Sequence, residues 1–178
     1  MIQDSLHRPL TKFLLLSALS FFIGALHGML QVLPPIRAWL HSIGTPYNNP
    51  GHMIDPLAHA HMNLVGGVVL LAMGVTFYLL PIFSGKKLYS LKLVNHTFWW
   101  ISIGVYSFYT IQMTFGIWEG LLLLSTPEDI PAVHQFYGPL MAISGTIMAV
   151  GFCTYLANVV LTMTASPDKD DTSQTVRD

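Results

Sequence analysis

Charge is what this chain has least of. Only 10% of its 178 residues are Asp, Glu, Lys or Arg and 52% are apolar, whereas about 25% of a soluble domain is charged. A surface so poor in charge excludes a freely soluble globule and points to lipid. Cysteine is nearly absent too. With Cys153 alone, no disulfide, iron-sulfur cluster or thiolate zinc site can form within one copy, and the residue reads as a small packing hydrophobe. The net charge is −1, with no basic stripe for nucleic acid. The few charges crowd into the first 12 positions, the stretch from Lys86 to Lys92 and the tail after Pro167. Residues 165–178 are therefore expected to form a flexible cytoplasmic tail.

Between these clusters lie four runs long enough to cross roughly 30 Å of hydrocarbon as helices, at about 13–33, 59–80, 98–121 and 136–163. Pro34-Pro35 closes the first, Pro81 and Ser84-Gly85 close the second, and Pro127 to Pro131 divides the third from the fourth. The first run is too long for a signal core and no small-x-small cleavage site follows it, so a retained helix is expected. The fold class expected is all-α: one integral membrane four-helix bundle. Basic residues set its orientation, because cytoplasmic loops retain them. With both termini cytoplasmic, Arg8, Lys12, Lys86, Lys87, Lys92, Lys169 and Arg177 lie inside and Arg37 alone lies outside. The connection 34–58 then forms an outer-side loop, and its Asn48-Asn49-Pro50-Gly51 and Asp55-Pro56 turns suggest a cap over the outer mouth. Gly24 with Gly28, and Gly145 with Ala149, mark places where helices can approach closely.

Histidine carries the chemical information. His27 falls about two turns below the outer end of the first run, His59 and His61 open the second, and His134 begins the fourth. All four are expected at one level, with His96 at the opposite face. A single interfacial histidine is usually a hydrogen-bonded structural residue; four at one depth favour ligation. Imidazoles without thiolates suit zinc, copper or iron. Heme is preferred to a bare ion because a bundle offers a dry slot, axial histidines on facing helices, and glycines (Gly28, Gly66, Gly67, Gly138) to admit a ring. His59 and His61 are two residues apart, about 200° of helical rotation, so their rings project to opposed sides and serve different partners. Glu119 has two balanced readings, a solvated interfacial carboxylate or a hydrogen-bond or proton-relay partner inside the bundle. Trp99, Trp100 and Trp118 read as interface anchors, and the methionines, including Met62, as packing.

The run His59-Ala-His61-Met-Asn-Leu-Val-Gly66, continuing through Gly74 to Phe77-Tyr78-Leu79-Leu80-Pro81, resembles the tenth helix of the heme-copper oxidase catalytic subunit, in particular the cytochrome cbb type and its nitric oxide reductase relatives. Asn95-His96-Thr-Phe98-Trp99, with Gly116-Ile-Trp-Glu119-Gly120-Leu121, is similar to the family's next helix. Gly145, Gly151 and Tyr155 to Asn158 are similar to the last helix, and His27-Gly28 fits the preceding one. The resemblance implies that His59 binds a high-spin heme and His61 a low-spin heme. The family's copper ligands and its second low-spin ligand lie on earlier helices that have no counterpart in these 178 residues, so no copper is expected from this chain alone. The arginines that hold heme propionates in the family are absent here, which leaves Arg37 as the outer-side substitute.

The expectation is a membrane cytochrome with one or two hemes b per chain, held by His61, then His59, with His27 and His134 offering opposing coordination. It would relay electrons in a respiratory complex or homo-oligomer of a bacterial or archaeal cytoplasmic membrane, with quinol or cytochrome c as redox partner. The alternatives are a heme-free structural or assembly subunit of a larger oxidase, and a heme protein that binds O2 or NO.

Overall fold

The computed structural model describes residues 2–45 and 56–165, and these are all-helical apart from short connections. The turns expected at 48–51 and the tail from 166 onward lie outside the described residues. Helix α1 runs Ile2–Val32, α2 Pro34–Ser42, and α3 Pro56–His61; α3 continues through a π-helical segment, Met62–Val69, into α4, Leu70–Ser84. Helix α5 runs Leu91–Ser125; a 3-10 turn Pro127–Asp129 and α6, Ile130–His134, lead into α7, Tyr137–Thr164. Three stretches are long and apolar enough to cross a membrane: Pro9–Val32, Leu57–Ser84 and Pro127–Thr164. The run expected at 98–121 lies inside α5, whose 35 residues span about 50 Å but whose Gln112, Glu119 and many aromatics dilute its hydropathy.

Pro34-Pro35 opens a helix as well as closing one. Leu33 is extended (φ −62°, ψ 121°) and the prolines occupy the first turn of α2, where a missing N–H leaves no hydrogen bond unmade. The connection 34–58 therefore begins with nine helical residues. At the other end of the bundle the chain turns at Gly85 (φ 65°), whose N–H donates to Pro81 O. Ser90 caps α5 by accepting from Leu93 N. This turn is fastened to α7: Asn158 accepts from Ser90 N and donates to Ser90 O, both at 3.1 Å. Thr162 accepts from Tyr89 N at 3.0 Å. Lys86 Nζ donates to Met163 O and Ala165 O at 2.6 and 2.8 Å, a cation on the carbonyl end of a helix.

The four long helical stretches meet in an aromatic core at that end. Phe13 of α1 packs edge-on against Phe77 of α4 and Phe98 of α5, with ring centroids 6.0 and 5.1 Å apart, and Phe77 meets Tyr155 of α7 at 5.4 Å. Lys12 donates to Asn95 and lies 4.4 Å over the Phe98 ring.

Helices α5 and α7 form the most extensive pair. Their approach is set by Gly104 and Gly151. A β-carbon on Gly151 would fall 2.7 Å from Ile101 Cγ1 and 2.9 Å from its backbone N, and one on Gly104 would fall 2.8 Å from Met148 N. Gly145, by contrast, has nothing within 4 Å of that position. Gly151→Ala should therefore destabilise the bundle by about 1–3 kcal/mol, while Gly145→Ala is neutral or gains up to about 1 kcal/mol from helix propensity. Denaturant unfolding in detergent, followed by circular dichroism, checks the contrast.

Candidate functional site

Helix α1 presents Gly24 and Gly28 one turn apart, and α3 with its π segment lays His59 and Asn63 against them. A β-carbon on Gly28 would lie 2.5 Å from His59 Cε1, and one on Gly24 would lie 2.5 Å from Asn63 Cγ. These glycines form a groove that holds two polar side chains. His59 Nδ1 is 2.7 Å from Gly24 O; a carbonyl only accepts, so Nδ1 carries the proton and donates. The Asn63 amide donates to His59 O at 3.2 Å and lies 3.0 Å from the same ring nitrogen. Next to this groove, within the π segment, Ser17 donates to Gly67 O at 2.8 Å.

His61 leaves the opposite side of α3, as the two-residue spacing requires. Its Nδ1 donates to Leu57 O at 2.8 Å, and its ring lies on Phe108 of α5 at 4.4 Å with a 36° tilt. Both histidines of the pair thus anchor Nδ1 on a backbone carbonyl, and among the described residues neither Nε2 has a hydrogen-bond partner. That is the tautomer a metal-ligating histidine requires. His61 is half-buried and flanked on its face by exposed Leu57 and Leu64.

His27 is buried on α1, its ring 6.1 Å from His59 and 5.7 Å from Tyr109 of α5, with Gln31 Nε2 3.4 Å from its Nε2. His134 stands apart from this cluster. Its Nδ1 lies 2.8 Å from Glu119 Oε1, and its ring stacks on Tyr137 at 5.4 Å. Glu119 is ten residues beyond Tyr109 on α5, about 15 Å along the axis. The four histidines expected at one level therefore separate into a His27–His59 pair, a His61 facing the other way, and a His134 further out. The cause is the length of α5, which carries α6 past the level at which α1 and α3 meet. His134 also precedes α7, ending α6 instead of beginning the last long helix. Arg37 is exposed on α2, and His96 is exposed near the start of α5. No group of three His, Cys, Asp or Glu suited to a metal ion occurs among the described residues.

These arrangements differ in how they fit a heme. The His27–His59 face does not admit one in this packing, because His59 lies directly on Gly28 and bonds Gly24 O, so α1 occupies the space a macrocycle needs. The His61 face fits the donor chemistry: a fixed tautomer, an oriented ring and an outward Nε2. Asn63, Tyr109 and Phe108 were not foreseen as partners. The signal for Asn63 was its i+4 position from His59 opposite a glycine pair of the same spacing.

Apolar helices of spanning length, with imidazoles gathered away from the aromatic core, define an integral membrane protein of the helical kind. Comparison with known proteins is specific: over residues 2–149 the chain matches the family described as cytochrome c and quinol oxidase polypeptide I, and it belongs to that family. It is 23% identical over 168 residues to the cbb3-type cytochrome c oxidase subunit CcoN1 of Stutzerimonas stutzeri, covering 89% of this chain and 33% of that one. It is 32% identical over 120 residues to the bacteroid cytochrome c oxidase subunit 1 homolog of Bradyrhizobium diazoefficiens, covering 57% and 22%. It is 28% identical over 128 residues to the cytochrome c oxidase subunit 1 homolog of Agrobacterium tumefaciens, covering 65% and 24%. The chain thus spans between a fifth and a third of the length of these relatives.

The Gly28 contact is testable by the smallest possible change. Gly28→Ala should push the His59 ring off Gly24 O and cost about 1–3 kcal/mol. Imidazole 15N shifts will report the lost Nδ1 hydrogen bond and detergent unfolding the lost stability; an unmoved His59 resonance would contradict the packing described.

Proposed function

We propose that this chain is a multi-pass heme b-binding membrane subunit that relays electrons in a respiratory complex or homo-oligomer of a bacterial or archaeal cytoplasmic membrane. In this reading α5 is a fourth crossing, since it packs against α1, α3, α4, α6 and α7, and both termini are cytoplasmic, since seven of eight basic residues then lie inside. The observation that carries the heme is the His61 ring, with Nδ1 fixed by Leu57 O and its plane set by Phe108. His61 would hold the heme iron through Nε2, with Nδ1 fixed on the Leu57 carbonyl and ring rotation limited by Phe108. A bound heme supplies a one-electron iron couple. His59, His27 and His134 do not share the His61 face, so an opposing ligand comes from outside the described residues, and Arg37 on α2 is the outer-side cation for a propionate. Redox partners are quinol or cytochrome c, in keeping with the family's description and the relatives' names.

A lone donor on its face also fits a five-coordinate iron, which would bind O2 or NO, and a carbon monoxide difference spectrum separates the two states. The purified protein should give a reduced-minus-oxidised b-type spectrum that His61→Ala abolishes and His96→Ala keeps. Metal analysis should find iron without copper. Freshly prepared wild type lacking any heme signal would overturn the reading in favour of a heme-free structural or assembly subunit.

A further inference from the structure

The chain contains only two glutamates. Glu128 is exposed on the 3-10 turn, whereas Glu119 has a side chain only 3% exposed and sits on an otherwise apolar helix end. Its partner His134 is 44% exposed and reaches it at 2.8 Å. Burying a carboxylate among Phe115, Gly116 and Gly120 is costly, and such a group persists where it is paired or where it exchanges a proton. The heme reading uses neither residue of this pair.

We infer that Glu119 and His134 form a proton-exchange site, with His134 carrying protons between solvent at the α6 end of the bundle and the buried carboxyl. In the resting arrangement His134 Nδ1–H donates to the Glu119 carboxylate and Nε2 points away. A proton arriving from water at Nε2 and the Nδ1 proton leaving for Glu119 Oε1 yield a neutral imidazole and a neutral carboxylic acid. One proton has been taken up, no electrons have moved, and the buried end of the pair is uncharged. The Tyr137 stack, 5.4 Å away and 20° from parallel, holds the ring in the position both transfers need. At this end of the elements packed here the other titratable groups are Glu128 and Asp129, both exposed, and Tyr137; further along, α5 carries Lys92, His96, Tyr106 and Tyr109, and α7 carries Cys153 and Tyr155 but no Asp, Glu, Lys or Arg. One heptad deeper on the same face of α5, buried Gln112 has an amide oxygen with no hydrogen-bond partner among the described residues, which extends the polar track inward from Glu119.

The test uses the full chain in lipid nanodiscs with glutamate labelled at the carboxyl carbon. Infrared and NMR signals then come from two carboxyls only, and Glu128→Gln, a surface change, assigns the remaining one to Glu119 without touching it. The expected result is a buried carboxyl that protonates on acidification, with an acid C=O band that Glu119→Gln removes. After a pH jump into D2O its hydrogen exchange should be at least tenfold slower in His134→Gln and in His134→Phe, the latter keeping an aromatic ring on Tyr137. A Glu119 carboxyl that stays ionised throughout, or that exchanges at the wild-type rate in both His134 variants, would overturn the proposal. Because neither signal depends on bound heme, failure here and failure of the heme reading are distinguishable.

Discussion

Much of the architecture depends on the seat that α1 provides for His59. Two glycines one turn apart leave a groove, and the imidazole fills it, donating to Gly24 O at 2.7 Å and lying over Gly28. Once that ring is committed to α1, helical geometry turns His61 about 200° away, and there it meets Phe108 of α5. One close contact thereby fixes which helix each member of the pair faces. Gly66 and Gly67 continue the approach against Ser20 and Phe21, so α1 and the stretch beginning at α3 are held together along a seam of small residues, as expected where lipid offers no hydrophobic drive between helices.

The two ends of the bundle solve the problem of buried polarity differently. At the end holding Phe13, Phe77 and Phe98, polar side chains tie the elements together: Asn158 and Thr162 bind the backbone at Tyr89 and Ser90, and Lys86 caps α7. These groups are fully committed, and removing one leaves backbone N–H or C=O groups unmet inside an apolar surround. At the other end the polar groups are imidazoles, an amide and a carboxyl, whose protons can change partners.

What was legible in the sequence follows the same division. Long apolar runs marked the helices because hydropathy averages over some twenty residues and tolerates local error. The opposition of His59 and His61 was legible because it depends on rotation per residue alone. A common level for the four histidines holds only if each is placed by counting from the end of its own helix. His134 instead meets Glu119, ten residues along α5 from the Tyr109 that faces His27, so the depth at which each helix crosses α5, a tertiary property, separates them. The π segment Met62–Val69 was not visible because its residues have no composition of their own. Helix α2 is hidden for a simpler reason: a proline pair that ends one helix equally suits the first turn of the next. Glu119 stood balanced between two readings because burial is a tertiary property, and only the approach of His134 decides it.

The position of His61 bears on what this chain needs from its surroundings. Its face carries exposed Leu57 and Leu64 and turns away from α1. A heme hung there would bury one side against α3 and α5 and present the other to the outside of this chain. The match covers only 22–33% of each of these relatives, so in them further protein is available to cover such a face. Among the described residues no element lies over that face, so a second surface would come from elsewhere. A porphyrin open to lipid on one side would keep a free axial position and bind carbon monoxide, while a covered one with an imidazole from the second surface would not. The ligand-binding spectrum of the reduced protein therefore reports on assembly as directly as on coordination.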